Sequence, residues 1–288
     1  MKPLLLHPTT SQAIDSFVGK PSHGLLVIAP KGSGKGALAR QVSARLLGTT
    51  TVKLLTHPYF MLVSAHNGKI IAVDDIRAVI HFTLLKTTGK SGSNRVVVIE
   101  DSHLLTVKAQ NALLKTIEEP PAGTVIILTA ISEASLLPTI CSRLQHINIH
   151  LLDSQTIKSY FESHGYPSAA VDKSILISGG LLGMVKALLD ESSEQPLIKA
   201  TNIAHTILQQ LAFERIAMID DLAKDRQLCF DVLFTLGQMA SISLKQGGKS
   251  SSVVHKWQRV LSASHVATQQ LLTSAQPKLV LLNFMLSL

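Results

Sequence analysis

The sequence predicts an α/β domain, a parallel sheet with flanking helices, followed by a region built of helices alone. Short apolar runs alternate with helix-period segments through the first half. From about Asp153 onward no strand pattern recurs. A polar, proline-containing run at 190–196 then separates short helices from several longer apolar-faced ones.

Taken in order, GLLVIA (24–29) reads as a buried strand, since a short continuous apolar run suits the middle of a parallel sheet. KGALARQVSARLLG follows as a helix ending at Gly48, and PYFMLV (58–63) is a second strand. VDDIRAVIHFTLL (73–85) spaces its apolar residues as a helix does, whereas KTTGKSGSN is a loop by composition. RVVVIE (95–100) is a strand, and TVKAQNALLKTIEE a helix stopped by Pro120 and Pro121. TVIILTA (124–130) completes the βαβ series. DSQTIKSYFESHG carries an Asp or Ser cap and ends at Gly165; one helix follows Pro167 and another starts at Leu182. The remaining segments, LIKATNIAHTILQQL, FERIAMIDDLAK, QLCFDVLFTLGQMASISL, VVHKWQRVLSASHVATQQLL and KLVLLNFMLSL, read as a helical bundle.

A chain of 288 residues with 46% hydrophobic content suggests two or three domains and a sizeable core. No stretch reaches the ~20 apolar residues a membrane-spanning helix needs. The N-terminal apolar run is too short for a secretory signal, so the expected location is the cytoplasm, with no membrane partner. Two cysteines, Cys141 and Cys229, are too few for a disulfide framework or a cysteine-only zinc site. The net charge of +8 is concentrated early: residues 1–150 hold 15 Lys and Arg against 8 Asp and Glu, and the rest hold 12 against 11. Such a surplus suits nucleic acid or an acidic ligand such as a nucleotide.

The stretch APKGSGKGALA (29–39) follows the first strand and opens the first helix. Against the phosphate-loop pattern G-x-x-x-x-G-K-[ST], Gly34 and Lys35 are in register, Ala29 takes the first glycine position, and Gly36 stands where a hydroxyl would hold magnesium. Backbone amides at a helix N-terminus wrap an anion and the lysine adds a point charge, which makes Pro30, Lys31, Gly32, Ser33, Gly34, Lys35 and Gly36 candidates for binding ATP or ADP. Magnesium is left open by Gly36. A nucleotide hydrolase also needs an acidic pair at the end of a buried strand, one carboxylate for the metal and one for water. VVVIEDSH supplies Glu100 and Asp101, in the reverse of the usual Asp–Glu order.

The run EDSHLLTVKAQNALLKTIEEPPAGTVIILTAISEASLLPTICSRL (100–144) resembles the core of bacterial clamp-loader AAA+ subunits, and most closely the delta-prime type of DNA polymerase III. The likeness extends to GKGALARQVSARLL, HPYFMLVS, VDDIRAVI and the terminal AQPKLVLLNFMLSL. It implies an α/β AAA+ domain at 1–151, a small helical lid at 152–193 and an all-α collar at 194–288. It further implies assembly with delta and tau/gamma subunits into a ring that loads a sliding clamp on primer-template DNA. Ser142 and Arg143 match the family's arginine-finger motif, which reaches a neighbour's γ-phosphate; a planar, permanently charged guanidinium suits that task.

Departures from the family pattern matter as much. The usual four zinc-binding cysteines are missing, so no zinc is expected, and Leu144 stands where a cysteine often follows the finger. The lid position of a sensor arginine is Val185, and the γ-phosphate-sensing position falls at Thr129 or Ala130. With Gly36 and the reversed acidic pair, the missing lid arginine implies a subunit whose own turnover is weak or absent. The alternatives are an ATP-hydrolysing tau/gamma-type subunit, a repair or recombination AAA+ ATPase, and a small-molecule kinase, the last disfavoured by the helical C-terminal region. Lys86, Lys90 and Arg95 are either DNA contacts or a solvated loop.

Overall fold

The computed structural model describes residues 4–65, 70–85, 95–190, 196–245, 251–272 and 275–288. Residues 86–94, with Lys86 and Lys90, lie outside them. The chain divides into two compact units, Met1–Leu152 and Asp153–Leu288.

The first unit runs α1 (Pro8–Gly19), β1 (Gly24–Ile28), α2 (Lys35–Leu46), α3 (Thr51–Leu54), β2 (Phe60–Val63), α4 (Val73–Leu84), β3 (Arg95–Ile99), α5 (Val107–Glu118), β4 (Thr124–Ala130), α6 (Pro138–Cys141) and β5 (Gln145–Asn148). All five strands are parallel, in the order β2-β3-β4-β1-β5. Every residue of β3 and β4 is buried, as expected of strands covered on both faces. Because side chains alternate across a strand, the two faces build separate cores. Leu26, Val97, Ile99, Ile126 and Leu128 pack with Ile76 and Val79 of α4 and Leu113 and Ile117 of α5. Leu25, Val27, Val96, Val98 and Ile127 pack with Phe17 of α1 and Leu38 and Val42 of α2.

Sequence reading located the first four strands and the helices between them, but not α1, α3, α6 or β5. The edge strand β5 buries only Ile147, which leaves no alternation to detect. Helix α5 starts where Thr106 caps it, its side chain accepting from the Ala109 N–H at 3.1 Å.

Arg95 is neither a DNA contact nor part of a solvated loop. It opens β3 at 3% exposure, and its guanidinium donates to the carbonyl oxygens of Thr83 and Leu85 at the end of α4, 5.3 Å above the Phe82 ring. Burial pulls its pKa below the usual arginine value. The reason is topological: β3 pairs with β4 from its first residue, and Arg95 goes into the sheet with it.

The second unit contains α7 (Ser154–Ser163), α8 (Ser168–Ser178), α9 (Leu182–Leu189), α10 (Pro196–Gln209), α11 (Ala212–Ala217), α12 (Ile219–Leu222), α13 (Arg226–Lys245), α14 (Ser251–Leu272) and α15 (Pro277–Ser287). Asp153 caps α7, accepting from the Thr156 N–H at 2.8 Å. The core joins Ala204 and Ile207 of α10, Leu233 and Leu236 of α13, Val260 of α14, and Leu281 and Phe284 of α15. FERIAMIDDLAK forms two short helices rather than one: the Met218 N–H bonds three residues back to Arg215, a tighter 3₁₀-type turn that breaks the run. Among the described residues no helix is long and apolar enough to cross a membrane.

Candidate phosphate-loop site

The loop begins where β1 runs out. The Ala29 N–H donates to the Ala130 carbonyl at 3.1 Å, carrying the β1–β4 ladder one residue further and fixing the start of the turn. Gly32 and Gly34 have φ of 84° and 90°, left-handed values that glycine adopts without steric cost. Gly34 is the N-cap of α2, so the first-turn amides of that helix, which have no acceptor within it, open onto the loop. The Ser33 hydroxyl is buried and unpartnered here. Pro30, Lys31, Gly32, Ser33 and Gly34 thus form the turn, and Lys35 and Gly36 open the helix beneath it, a setting that fits a phosphate group.

Lys35 is buried at 7% exposure and its Nζ lies 3.0 Å from Asp101 Oδ1. Asp101 is the non-glycine residue with positive φ among the described residues, at φ 49° and ψ 48°. Backbone strain of this kind costs about 1 kcal/mol or more and persists only where neighbours enforce it. Thr129, fully buried in β4, is the enforcing neighbour. Its Oγ1 accepts from the Asp101 N–H at 2.9 Å, and its carbonyl accepts from the Ser102 hydroxyl at 2.9 Å. The structure therefore gives Thr129 a definite place beside the acidic pair, one residue before Ala130.

Glu100 follows β3, its N–H donating to the Val63 carbonyl at 2.8 Å. The carboxylate is ion-paired with the Arg40 guanidinium. Burial raises its pKa above the usual glutamate value, Arg40 opposes that rise, and the Asp101 charge adds to it. A Cβ placed on Gly36 would stand 2.6 Å from Glu100 Oε1. A serine or threonine side chain at residue 36 would therefore meet the end of the Glu100 side chain first. The residues present thus fit a phosphate anion, but they do not fit a magnesium ion held in the usual way.

His103 belongs to the same neighbourhood although sequence reading passed over it. Its Nδ1 is buried without a partner, and burial lowers its pKa, with Asp101 opposing and Lys35 and Lys31 reinforcing the drop. The signal was available: it lies two residues beyond the acidic pair in VVVIEDSH.

Ser142 and Arg143 are placed elsewhere. Ser142 caps α6, and Arg143 precedes β5. The Arg143 Nη1 donates to the Thr139 carbonyl at 2.8 Å, and Nη2 lies 2.8 Å from Glu118 Oε1. The Arg143 carbonyl accepts from His23 Nε2 at 2.9 Å, just before β1 begins. Because Leu25 pairs with Gln145 in parallel register, Arg143 lies at the N-terminal edge of the sheet, whereas the loop leaves from the C-terminal edge. About six strand residues separate the two, or ~20 Å. Leu144 is buried against Gly24, where any side chain would collide with it. Val185 is fully buried in α9.

Residues 11–153 match the family model described as "DNA polymerase III, delta subunit". The DNA polymerase III subunit delta' of Pseudomonas aeruginosa is 37% identical over 150 residues, 46% of this chain and 45% of that protein. The DNA polymerase III subunit gamma/tau of Mycobacterium bovis is 26% identical over 260 residues, 82% of this chain and 44% of that protein. The chain spans about half the length of the relatives it matches. A DNA polymerase III gamma subunit-related protein from Thermotoga maritima shares the fold at TM-score 0.53 and 17% identity, covering 96% of this chain and 97% of that one. The fold is thus an α/β domain with a parallel sheet followed by helices, and residues 11–153 match the DNA polymerase III delta-subunit family model, with relatives of the delta-prime type.

Proposed function

We propose that this chain is a cytoplasmic, delta-prime-type subunit of the DNA polymerase III clamp loader. It assembles with delta and tau/gamma subunits, and the ring acts on the sliding clamp and primer-template DNA. Its own hydrolysis is weak or absent, and Arg143, with Ser142 beside it, serves the nucleotide site of the adjacent subunit. In this reading residues 1–151 are the nucleotide-binding domain, 152–193 the lid and 194–288 the collar.

The observation that carries the proposal is the position of Arg143. A guanidinium ~20 Å along the sheet from the chain's own phosphate loop is out of reach of any phosphate held there. Its charge is useful to a triphosphate only if a second subunit brings one to that edge. Support for weak turnover comes from the other end of the sheet: no hydroxyl at residue 36, an acidic pair in reversed order, and Lys35 held by Asp101. A phosphate entering the loop would meet the amides of residues 32–36 and draw Lys35 from Asp101. Zinc has no part in the proposal.

Mixing the purified chain with delta and tau/gamma subunits, followed by size-exclusion chromatography, tests the assembly. Co-elution as one complex is expected, and a chain that elutes alone under every nucleotide condition removes the proposal. A hydrolysing tau/gamma-type subunit is the second reading, favoured by the gamma/tau similarity along 82% of this chain. It requires ATP turnover by this chain that Lys35→Ala abolishes. A repair or recombination AAA+ ATPase would hydrolyse ATP without joining the loader.

A further inference from the structure

Two departures from the phosphate-loop pattern lie far apart in the sequence but touch in the fold. Gly36 is the second residue of α2, and Glu100 follows β3. The Cβ that any other residue would carry at 36 stands 2.6 Å from Glu100 Oε1, closer than side-chain carbons come to such an atom, and a tight 3.1 Å from Cδ. Glutamate, one methylene longer than the aspartate usual at this position, is what reaches there. Arg40, one helical turn beyond Gly36 and on the same face of α2, holds it in place. Glu100 is mostly withdrawn from water at 19% side-chain exposure, whereas Arg40 is half-buried at 35%.

We propose that Gly36 and Glu100 are a single coupled change: the Glu100 carboxylate, neutralised by Arg40, stands in the space of a metal ion and its hydroxyl ligand, and the loop holds phosphate without a divalent cation. The inference deepens the reading of residues 30–36 as a phosphate loop and rests on it. Its chemistry is self-consistent. Guanidinium carries a permanent charge and forks onto carboxylate, so the acidic strand end has its counter-ion built in. A hydroxyl at residue 36 alone has to displace the end of the Glu100 side chain against its pairing with Arg40 before it can serve as a metal ligand. Shortening residue 100 to aspartate withdraws that carboxylate and opens the space.

The test uses Mn²⁺ alone, followed by loss of its free EPR signal, on the full chain and on Gly36→Ser, Glu100→Asp and the double variant. The wild type and Gly36→Ser are expected to bind no Mn²⁺, and the double variant to bind one equivalent. Gly36→Ser is expected to melt about 2–4 °C lower than wild type, with Glu100→Asp in the same chain restoring the loss. Mn²⁺ binding by the wild type, lost on Glu100→Gln, overturns the inference. So does metal binding by Gly36→Ser alone, or a double variant that binds none or fails to fold. None of these measurements involves the other loader subunits, so a failed assembly and a failed metal exclusion are told apart.

Discussion

Replacing Arg143 with alanine in an assembled loader probes the proposed function most directly, and the structure sets the scale of the result. In the isolated chain the guanidinium is held by Glu118 at 2.8 Å and by the Thr139 carbonyl at 2.8 Å. The two charged side chains are 37% and 44% exposed, so the pair is well screened. Pairs of this kind contribute about 0–1 kcal/mol, a factor of at most about five in an equilibrium. An arginine presented to a transferring phosphoryl group accelerates hydrolysis about 10³–10⁵-fold. Leaving Glu118 is therefore a small opposing term, and the finger contribution dominates. The assay is steady-state ATP hydrolysis in a loader in which only the subunit facing Arg143 keeps its phosphate-loop lysine, which isolates one site. Arg143→Ala is expected to slow that site by about 10²-fold or more with assembly intact on size exclusion. Glu118→Gln, which only frees the arginine, is expected to change the rate by no more than about fivefold. An unchanged rate for Arg143→Ala refutes the reasoning, as does a Glu118→Gln effect as large as the alanine effect.

Two further outcomes concern the first unit. Arg95→Ala leaves the Thr83 carbonyl buried without its donor and removes charge-assisted bonds worth about 1.5–3 kcal/mol each. The expected loss is about 3 kcal/mol in urea unfolding followed by circular dichroism, and a loss below about 1 kcal/mol contradicts the capping role given to this side chain. His103 has a folded-state pKa below 6.5, so the unfolded chain takes its proton first and stability falls as pH drops through 6.5. His103→Gln is expected to flatten the decline in melting temperature over that range relative to wild type, and parallel curves would remove His103 as a contributor.

Much of the first unit was legible because its interior strands are covered on both faces. RVVVIE and TVIILTA are continuous apolar runs, and they became the wholly buried β3 and β4. Asp153 and Pro120 punctuate helices by local chemistry, through a capping bond or a missing donor, and needed no knowledge of the fold. By contrast β5 was invisible, since one buried residue in four carries no pattern. Arg95 looked like a surface cation because it opens its strand next to a polar stretch, and only its burial and its bonds to the Thr83 and Leu85 carbonyls reveal otherwise.

The candidate site divides along the same line. The amino-acid sequence by itself determined the glycine turn between β1 and α2, because left-handed backbone at Gly32 and Gly34 and a lysine at the helix start are demands of a few consecutive residues. It also determined which chemical groups are available, from the acidic pair to the arginine near the end of the domain. Only the tertiary structure decided which of them meet. Parallel pairing of β3, β4 and β1 brings Asp101 to Lys35, Thr129 to Asp101, and Arg40 to a glutamate 60 residues away, while the start of β5 carries Arg143 to the far edge. Strand register fixes these distances, and register is set by which faces are buried, a property of the whole sheet that no local stretch of chain contains.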